Sequence, residues 1–271
     1  MQSLFPGTAK KASLWGAFFV CAVVVLTPLR ALADACRAPG PLRETQVARV
    51  VDGDTLRLAD GRSVRLIGVN APEKARAGQS AEPFAEAATH HLEQLVAASG
   101  GQVGLVAGEQ ARDHYGRSLA HAFGRDGHSW EAQQLAAGLG FAVAIAPNTA
   151  LVDCLRTAEH QARLARKGVW RRNPVLEVGQ LRRAGFAVLR GRVAALERNR
   201  GGVWLELDGP LVLRIEPQRL VQFDEGELRR LAGREVEVRG WVVDRSRRGA
   251  LRPGQARWLL TLSHPSMLEV R

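Results

Sequence analysis

Beyond residue 45 the chain alternates apolar and polar positions in short runs separated by turn residues. Residues 46–51 read as a strand. Leu56-Arg57-Leu58 and Val64-Arg65-Leu66 alternate on either side of Asp60-Gly61, a hairpin signal. The period then changes, because Phe84, Ala88, Leu92 and Leu95 recur at helical spacing within 83–98. Residues 102–106 and 118–123 return to strand character. Residues 130–137 predict a helix capped by Ser129 and stopped at Gly138. Thr149 is placed to cap a longer helix reaching Lys167, where Gly168 ends it. The polar, Pro-bearing stretch 171–183 reads as a connector. After it come five alternating strands (186–196, 203–207, 211–215, 236–243 and 258–262), with a short helix at 223–231 between the third and fourth. That is the element count of an OB barrel. The predicted organisation is one domain over 45–172, a linker over 173–185 and a small OB-like β-barrel over 186–271, an α+β chain that is mainly β. No internal repeat or long low-complexity tract is present.

The N-terminus reads as an address. Lys10 and Lys11 precede an apolar run over 14–26, and Ala31-Leu32-Ala33 comes after it. This is the charged, apolar and small-residue order of a secretory signal peptide. The run is shorter than the roughly 20 apolar residues of a membrane span, and Pro28 and Arg30 break the pattern soon after its end. The expectation is export to the periplasm or beyond, with 1–33 removed and no stable membrane anchor; an uncleaved anchor is the alternative. Cys21 leaves with that segment, so Cys36 and Cys154 remain. In an oxidising compartment two cysteines point to one bridge, against the alternative of two unpaired buried thiols.

Composition narrows the class. With 271 residues, 46% hydrophobic and 24% charged, the chain is neither collagen-like nor wholly disordered. Its 38 basic residues against 27 acidic ones favour an anionic partner: nucleic acid, phosphate or an acidic membrane surface. All but Lys10, Lys11, Lys74 and Lys167 of the basic residues are Arg, which is both the better phosphate fork and what plain codon bias produces. The excess is uneven: 37–174 carries 17 basic and 14 acidic residues, and 182–271 carries 18 and 11. Salt-sensitive retention of nucleic acid is therefore an expectation for the second barrel.

Three clusters carry candidate chemistry. Asp52-Gly53-Asp54-Thr55 ends a strand ahead of a hairpin, so its carboxylates can offer hard oxygens to one cation, although Asp-Gly-Asp is also a common turn. Arg65 lies on the return strand, and Asn70-Ala71-Pro72-Glu73 comes next at a strand end, with an amide oxygen and a carboxylate able to orient or deprotonate water. Asp113-His114-Tyr115-Gly116-Arg117 brings a second guanidinium to the start of another strand. A cation, a carboxylate and two guanidinium groups are the toolkit of phosphodiester hydrolysis. Zincin, P-loop and serine-hydrolase signatures are absent.

Together the clusters resemble the thermonuclease family, the staphylococcal nuclease-like domain, over about 46–170. The resemblance implies a five-stranded OB barrel with three helices that cuts DNA and RNA in a Ca²⁺-dependent reaction, with no small-molecule cofactor. By motif match, Asp54 is the principal Ca²⁺ carboxylate with Asp52 in support, Asn70 is the second ligand, and the backbone carbonyl of Ala71 lies beside it. Glu73 matches the general base or water-positioner. Arg65 and Arg117 match the phosphate clamp, and Tyr115 matches a tyrosine near the terminal phosphate of bound nucleotide, with His114 beside it in place of a Lys or Arg.

The departures are specific. The family pattern has Asp where this chain has Asn70, which removes one negative charge and lowers the expected Ca²⁺ affinity. Ala71 replaces a common Thr. Ala144 and Ala146 lie where the type enzyme places two tyrosines against substrate. Arg65 and Arg117 have a bland reading too, as structural partners of Asp54 and Glu73. The leading expectation is an exported Ca²⁺-dependent nuclease. The alternative is a catalytically weak or inactive module on two OB barrels that binds nucleic acid or protein. In the second barrel Trp204, Trp241 and Trp258 are candidate stacking platforms, with core packing the more frequent role of a Trp on an alternating strand. The remaining histidines read as solvated.

Overall fold

The structure is a computed structural model and describes residue 1, residues 36–75 and residues 78–271. The signal-peptide expectation for 1–33 falls almost wholly outside the described residues.

Two closed barrels succeed one another along the chain. The first contains β1 (Glu44–Asp52), β2 (Thr55–Leu58), β3 (Ser63–Leu66), β5 (Gln102–Arg112) and β6 (Ser118–Phe123), closed in the order β1-β2-β3-β6-β5. A two-residue ladder beside it pairs β4 (Val69–Asn70) with β7 (Phe141–Ala142). Its helices are α1 (Ala85–Ala98), α2 (Trp130–Ala136) and α3 (Val152–Leu164). The barrel is filled by Leu56, Leu58, Val64, Leu66 and Val103, and Leu92, Trp130, Leu135 and Leu155 of the helices close it. Ser129 caps α2 by accepting from the Ala132 amide at 3.2 Å, as its sequence position predicts. Thr149 does not cap α3. The chain turns first, Val152 N–H donating to the Thr149 carbonyl at 3.2 Å, and the helix starts at Val152, later than expected. A Cys36–Cys154 disulfide joins the chain's entry into the barrel to α3.

The second sheet contains β8 (Val175–Glu177), β9 (Gly185–Asn199), β10 (Gly202–Leu207), β11 (Leu211–Ile215), β12 (Glu235–Asp244), β13 (Trp258–Leu262) and β14 (Leu268–Val270). Pairing of β12 with β9 closes the five strands β9-β10-β11-β13-β12, and β8 and β14 extend the sheet. A short helix, α4 (Glu225–Arg230), is capped by Asp224.

The stretch 173–185 is not a free connector. Residues 175–177 pair in parallel with 188–190, and Val178 and Leu181 are buried in the second barrel's core. The three buried apolar residues, Val175, Val178 and Leu181, lie three apart and so do not show a strand's alternation, and the strand's partner is supplied from the far side of the turn.

The barrels meet in a packed seam. Val143, Ala144 and Val152 of the first belong to the same apolar cluster as Met267 and Leu262 of the second. Within the seam Arg239 donates to Glu159 at 2.5 Å, and Arg163 grips Glu237 through both nitrogens at 2.6 and 2.8 Å. Arg271 also reaches Glu237 at 2.9 Å. Charge-assisted, bidentate pairs of this kind fix orientation as well as adding energy.

Candidate active site

The turn between β1 and β2 holds Asp52-Gly53-Asp54 against helices α1 and α2. Buried Gln134 donates to the carbonyls of Gly53 at 2.6 Å and Ala88 at 2.9 Å. Gly53 is required for close approach, since a Cβ there would lie 2.6 Å from the Cβ atoms of both Ala71 and Ala88. The turn therefore cannot retreat from the 70–73 segment, and Asp54 is delivered to it at 2% exposure.

Asp54 is fully engaged. Its Oδ1 pairs with Arg65 and accepts from Thr55 Oγ1, and its Oδ2 accepts from the Ala71 amide at 2.7 Å. Arg65 Nη2 also donates to Asn70 Oδ1 at 3.1 Å. Asp52 accepts from the Asp54 amide at 3.1 Å. Asn70 stands on the β4–β7 ladder, opposite Phe141. Arg117 pairs with Asp113 at 2.7 Å rather than with Glu73, and its guanidinium lies 5.5 Å from the Tyr115 ring. Tyr115 is 74% exposed, and its ring lies 3.7 Å from that of His114. Glu73 is exposed at the cleft mouth, its amide donating to Glu82 at 3.0 Å.

The structure thus brings Asp52, Asp54, Arg65, Asn70, Glu73, His114, Tyr115 and Arg117 to one cleft of about 950 Å³. Ala71 lies directly behind it and turns its N–H toward Asp54. A second recess shares Asp52, Tyr115 and Arg117 with the cleft and continues past Arg49, Arg57 and Arg112.

The electrostatics are those of a crowded, partly dry site. Burial pulls Arg65 down to about 10, against the stabilising charge of Asp52. Desolvation raises Asp52, with Thr55 and the nearby cations opposing it. Partial desolvation and the Asp52 charge push Glu73 up from its ordinary value. Burial also works against Asp113, but the Arg117 and Tyr115 hydrogen bonds outweigh it and hold this carboxyl low.

Among the described residues no group of three His, Cys, Asp or Glu side chains is placed to hold a metal ion. The oxygen set here is two carboxylates, Asp52 and Asp54, and the Asn70 amide oxygen. Such hard oxygens suit Ca²⁺. Asp54 Oδ1 and Asn70 Oδ1 already share one cationic partner, the Arg65 guanidinium. The pocket therefore accommodates positive charge at that point, and its donor chemistry fits a hard cation.

Several residues depart from the sequence reading. Ala144 is 2% exposed in the seam, its N–H facing Met267 Sδ and its carbonyl accepting from Ser263. Its position is covered by the second barrel. His121 is buried 3.4 Å from Glu131 rather than solvated. Of the candidate stacking tryptophans, Trp258 is core at 2% exposure and Trp204 is half-buried, but Trp241 is 40% exposed and lines the cleft. Gln110 and Asn148, bonded to each other across the cleft rim at 2.9 and 3.0 Å, also had no sequence signal.

A family model described as staphylococcal nuclease homologue matches residues 63–172. That stretch holds Arg65, Asn70, Glu73 and Arg117, and Asp52 and Asp54 lie shortly before it. The chain is 30% identical over 136 residues to the SPbeta prophage-derived endonuclease YokF of Bacillus subtilis, covering 49% of this chain and 45% of that protein. It is 32% identical over 126 residues to endonuclease YncB of the same organism, covering 45% and 59%. It is 30% identical over 129 residues to the thermonuclease of Staphylococcus intermedius, covering 46% of this chain and 75% of the relative. The chain thus spans about half the length of the two Bacillus proteins.

Proposed function

The chain belongs to the staphylococcal nuclease homologue family, and from that premise we propose that it is an exported, Ca²⁺-dependent nuclease hydrolysing phosphodiester bonds of DNA and/or RNA. The observation that carries the reading is the convergence, in one cleft, of the Asp54 and Asn70 oxygens on Arg65, with Arg117 and Glu73 lining the same space. Asp52, Asp54 and Asn70 would hold the Ca²⁺. When bound, the ion supplies positive charge for the phosphate oxygens.

The protein's own groups do the rest. Arg65 and Arg117 place two guanidinium groups where charge on phosphate grows. Arg65, paired with Asp54 and Asn70, would be free to turn to phosphate if that oxygen set held a cation, and Asp113 keeps Arg117 oriented through a bond at 2.7 Å. The Glu73 carboxylate orients the attacking water and takes its proton, a task suited to a carboxyl pushed up from its ordinary value. Plasmid and single-stranded substrates incubated with the 34–271 form should be digested with Ca²⁺ and spared with chelator. Intact substrate under both conditions would sink the proposal.

One observation favours a second reading, nucleic-acid binding with weak or no cleavage. Arg65 is committed to Asp54 and Asn70, and Asn70 contributes no charge to compete it away. Asn70→Asp distinguishes the two, since it should raise Ca²⁺ affinity and turnover if the cleft is a working site short of one charge. Unchanged inactivity in that variant favours the binding module.

A further inference from the structure

The cleft is lined by two kinds of side chain. One is polar and charged, and the first barrel supplies it as Asp52, Asp54, Arg65, Glu73 and Arg117. The other is apolar and includes Val143, Ile145 and Trp241, and Trp241 comes from β12 of the second barrel. Ile145 is 50% exposed and Trp241 40%. We propose that Trp241 is a stacking platform for a nucleobase of the strand held in the cleft, so that the second barrel completes the substrate site. The proposal rests on nucleic acid being the cleft's ligand.

Comparison with the other tryptophans isolates this one. Trp130 is fully buried. Trp170, Trp204 and Trp258 each carry an arginine over the ring, Arg163, Arg214 and Arg257 at 4.9, 5.2 and 4.6 Å. Among the described residues Trp241 alone is neither buried nor covered by a cation. Its ring meets Phe186, its cross-strand partner, in a T-shaped contact at 5.2 Å. Phe186 in turn packs on Phe141 of the first barrel at 5.2 Å, so the platform is braced across the seam.

The occupant is dictated by the two kinds of lining. A nucleotide is itself two-sided, with an anionic phosphate and a flat, π-faced base. Arg65 and Arg117 fix where the phosphate goes, and the base then meets the apolar side chains. Stacking there is sequence-tolerant because every base has a π-face. A duplex keeps its bases stacked on one another, so the platform selects single-stranded or frayed substrate.

The test measures binding of a short single-stranded oligodeoxynucleotide by anisotropy in chelator, where cleavage does not interfere, and tryptophan quenching in parallel. Trp241→Leu keeps an apolar side chain against Phe186 and should weaken binding between about fivefold and about a hundredfold. It should also abolish most of the quenching. Trp241→Phe should restore most of the affinity, and Trp204→Ala should change neither readout. An oligomer of abasic sites should bind wild type and Trp241→Leu equally. Equal binding of the base-bearing strand by both, an equal loss on the abasic strand, or no binding by wild type overturns the proposal. Trp241-dependent binding without digestion in Ca²⁺ upholds the platform and refutes the nuclease; digestion indifferent to Trp241 does the reverse.

Discussion

In both barrels the first strand pairs with the second and the second with the third, and the fifth strand closes the gap beside the third in parallel: β3 with β6 in one, β11 with β13 in the other. Each has a helix between its third and fourth strands. The topology is the same, yet the first barrel brings Asp52, Asp54, Arg65, Glu73 and Arg117 to the candidate cleft, whereas among the described residues the second contributes only Trp241 to it. The difference lies in two short segments. The turn between strands one and two is Asp52-Gly53-Asp54 in the first barrel, whereas Asn199, Arg200 and Gly201 occupy it in the second. After strand three the first runs into Asn70 and Glu73, and the second into a 3₁₀ turn, Pro217–Gln222. Two buried charges of the second barrel face its neighbour, Arg239 and Glu237 bonding to α3, and a third, Asp244, pairs with Arg257 of its own barrel. The candidate chemistry sits on those two short segments and on Arg65 of the third strand, not on the scaffold the barrels share.

The sharpest way to break the comparison is to remove like residues from like places. Arg65 on β3 and Arg214 on β11 both sit on third strands. Arg65→Ala, and separately Glu73→Gln, should lower turnover by about a hundredfold or more. Arg214→Ala, which uncovers Trp204, should leave turnover within about twofold. Steady-state kinetics with Ca²⁺ checks all three, and a comparable loss at Arg214 would erase the asymmetry. Next comes the staple, which only the first barrel has. Replacing Cys36 and Cys154 by Ser opens a loop of 118 residues and should cost about 4–5 kcal/mol in the chain-entropy model, read by chemical denaturation.

The seam gives smaller effects. Arg239→Ala leaves Glu159 and Glu237 buried with one partner fewer and should cost about 3 kcal/mol, whereas Arg239→Met should cost less because it keeps the packing. A midpoint unchanged by Arg239→Ala would mean the barrels do not stabilise each other there. The smallest effect is with acid. Burial works to raise Glu237, but hydrogen bonds and charge from Arg163 and Arg271 outweigh it, so the folded value lies below the ordinary 4.5. That stabilisation is present above the unfolded value and is lost as pH falls through the lower, folded one. Melting temperature should therefore decline below pH 4.5, and Glu237→Gln should make that decline shallower.

The barrel strands were legible because each buries one face, and alternation reports that directly. Strands 118–123, 211–215 and 258–262 match residue for residue. Short turns made the nearness of Asp54, Arg65 and Asn70 legible, and the family resemblance added Arg117 to them. Some of the features that escaped were decided by the other barrel. Trp241 occupies an alternating position in which a core role is the better expectation, and its exposure depends on where the neighbouring barrel ends. Glu159, Glu237 and Arg239 carry no sequence signal of their burial, which the seam produces. Residues 175–181 are rich in apolar positions, but Val175, Val178 and Leu181 are buried three apart rather than alternately, and Val178 owes its burial to distant strands.

The bond from Arg239 to Glu159 has a practical consequence for anyone cutting the chain. Glu159 also accepts from the Ala142 amide at 2.7 Å, and Ala142 is in the ladder that carries Asn70. Severing the chain in 173–185 would therefore be a core mutation in the fragment that remains. It would uncover Val143, Ala144 and Val152, strand an anionic side chain and loosen the support of a candidate ligand. The engineering unit is the pair of barrels, and an expression plasmid that ends at 172 encodes a damaged protein rather than a minimal one.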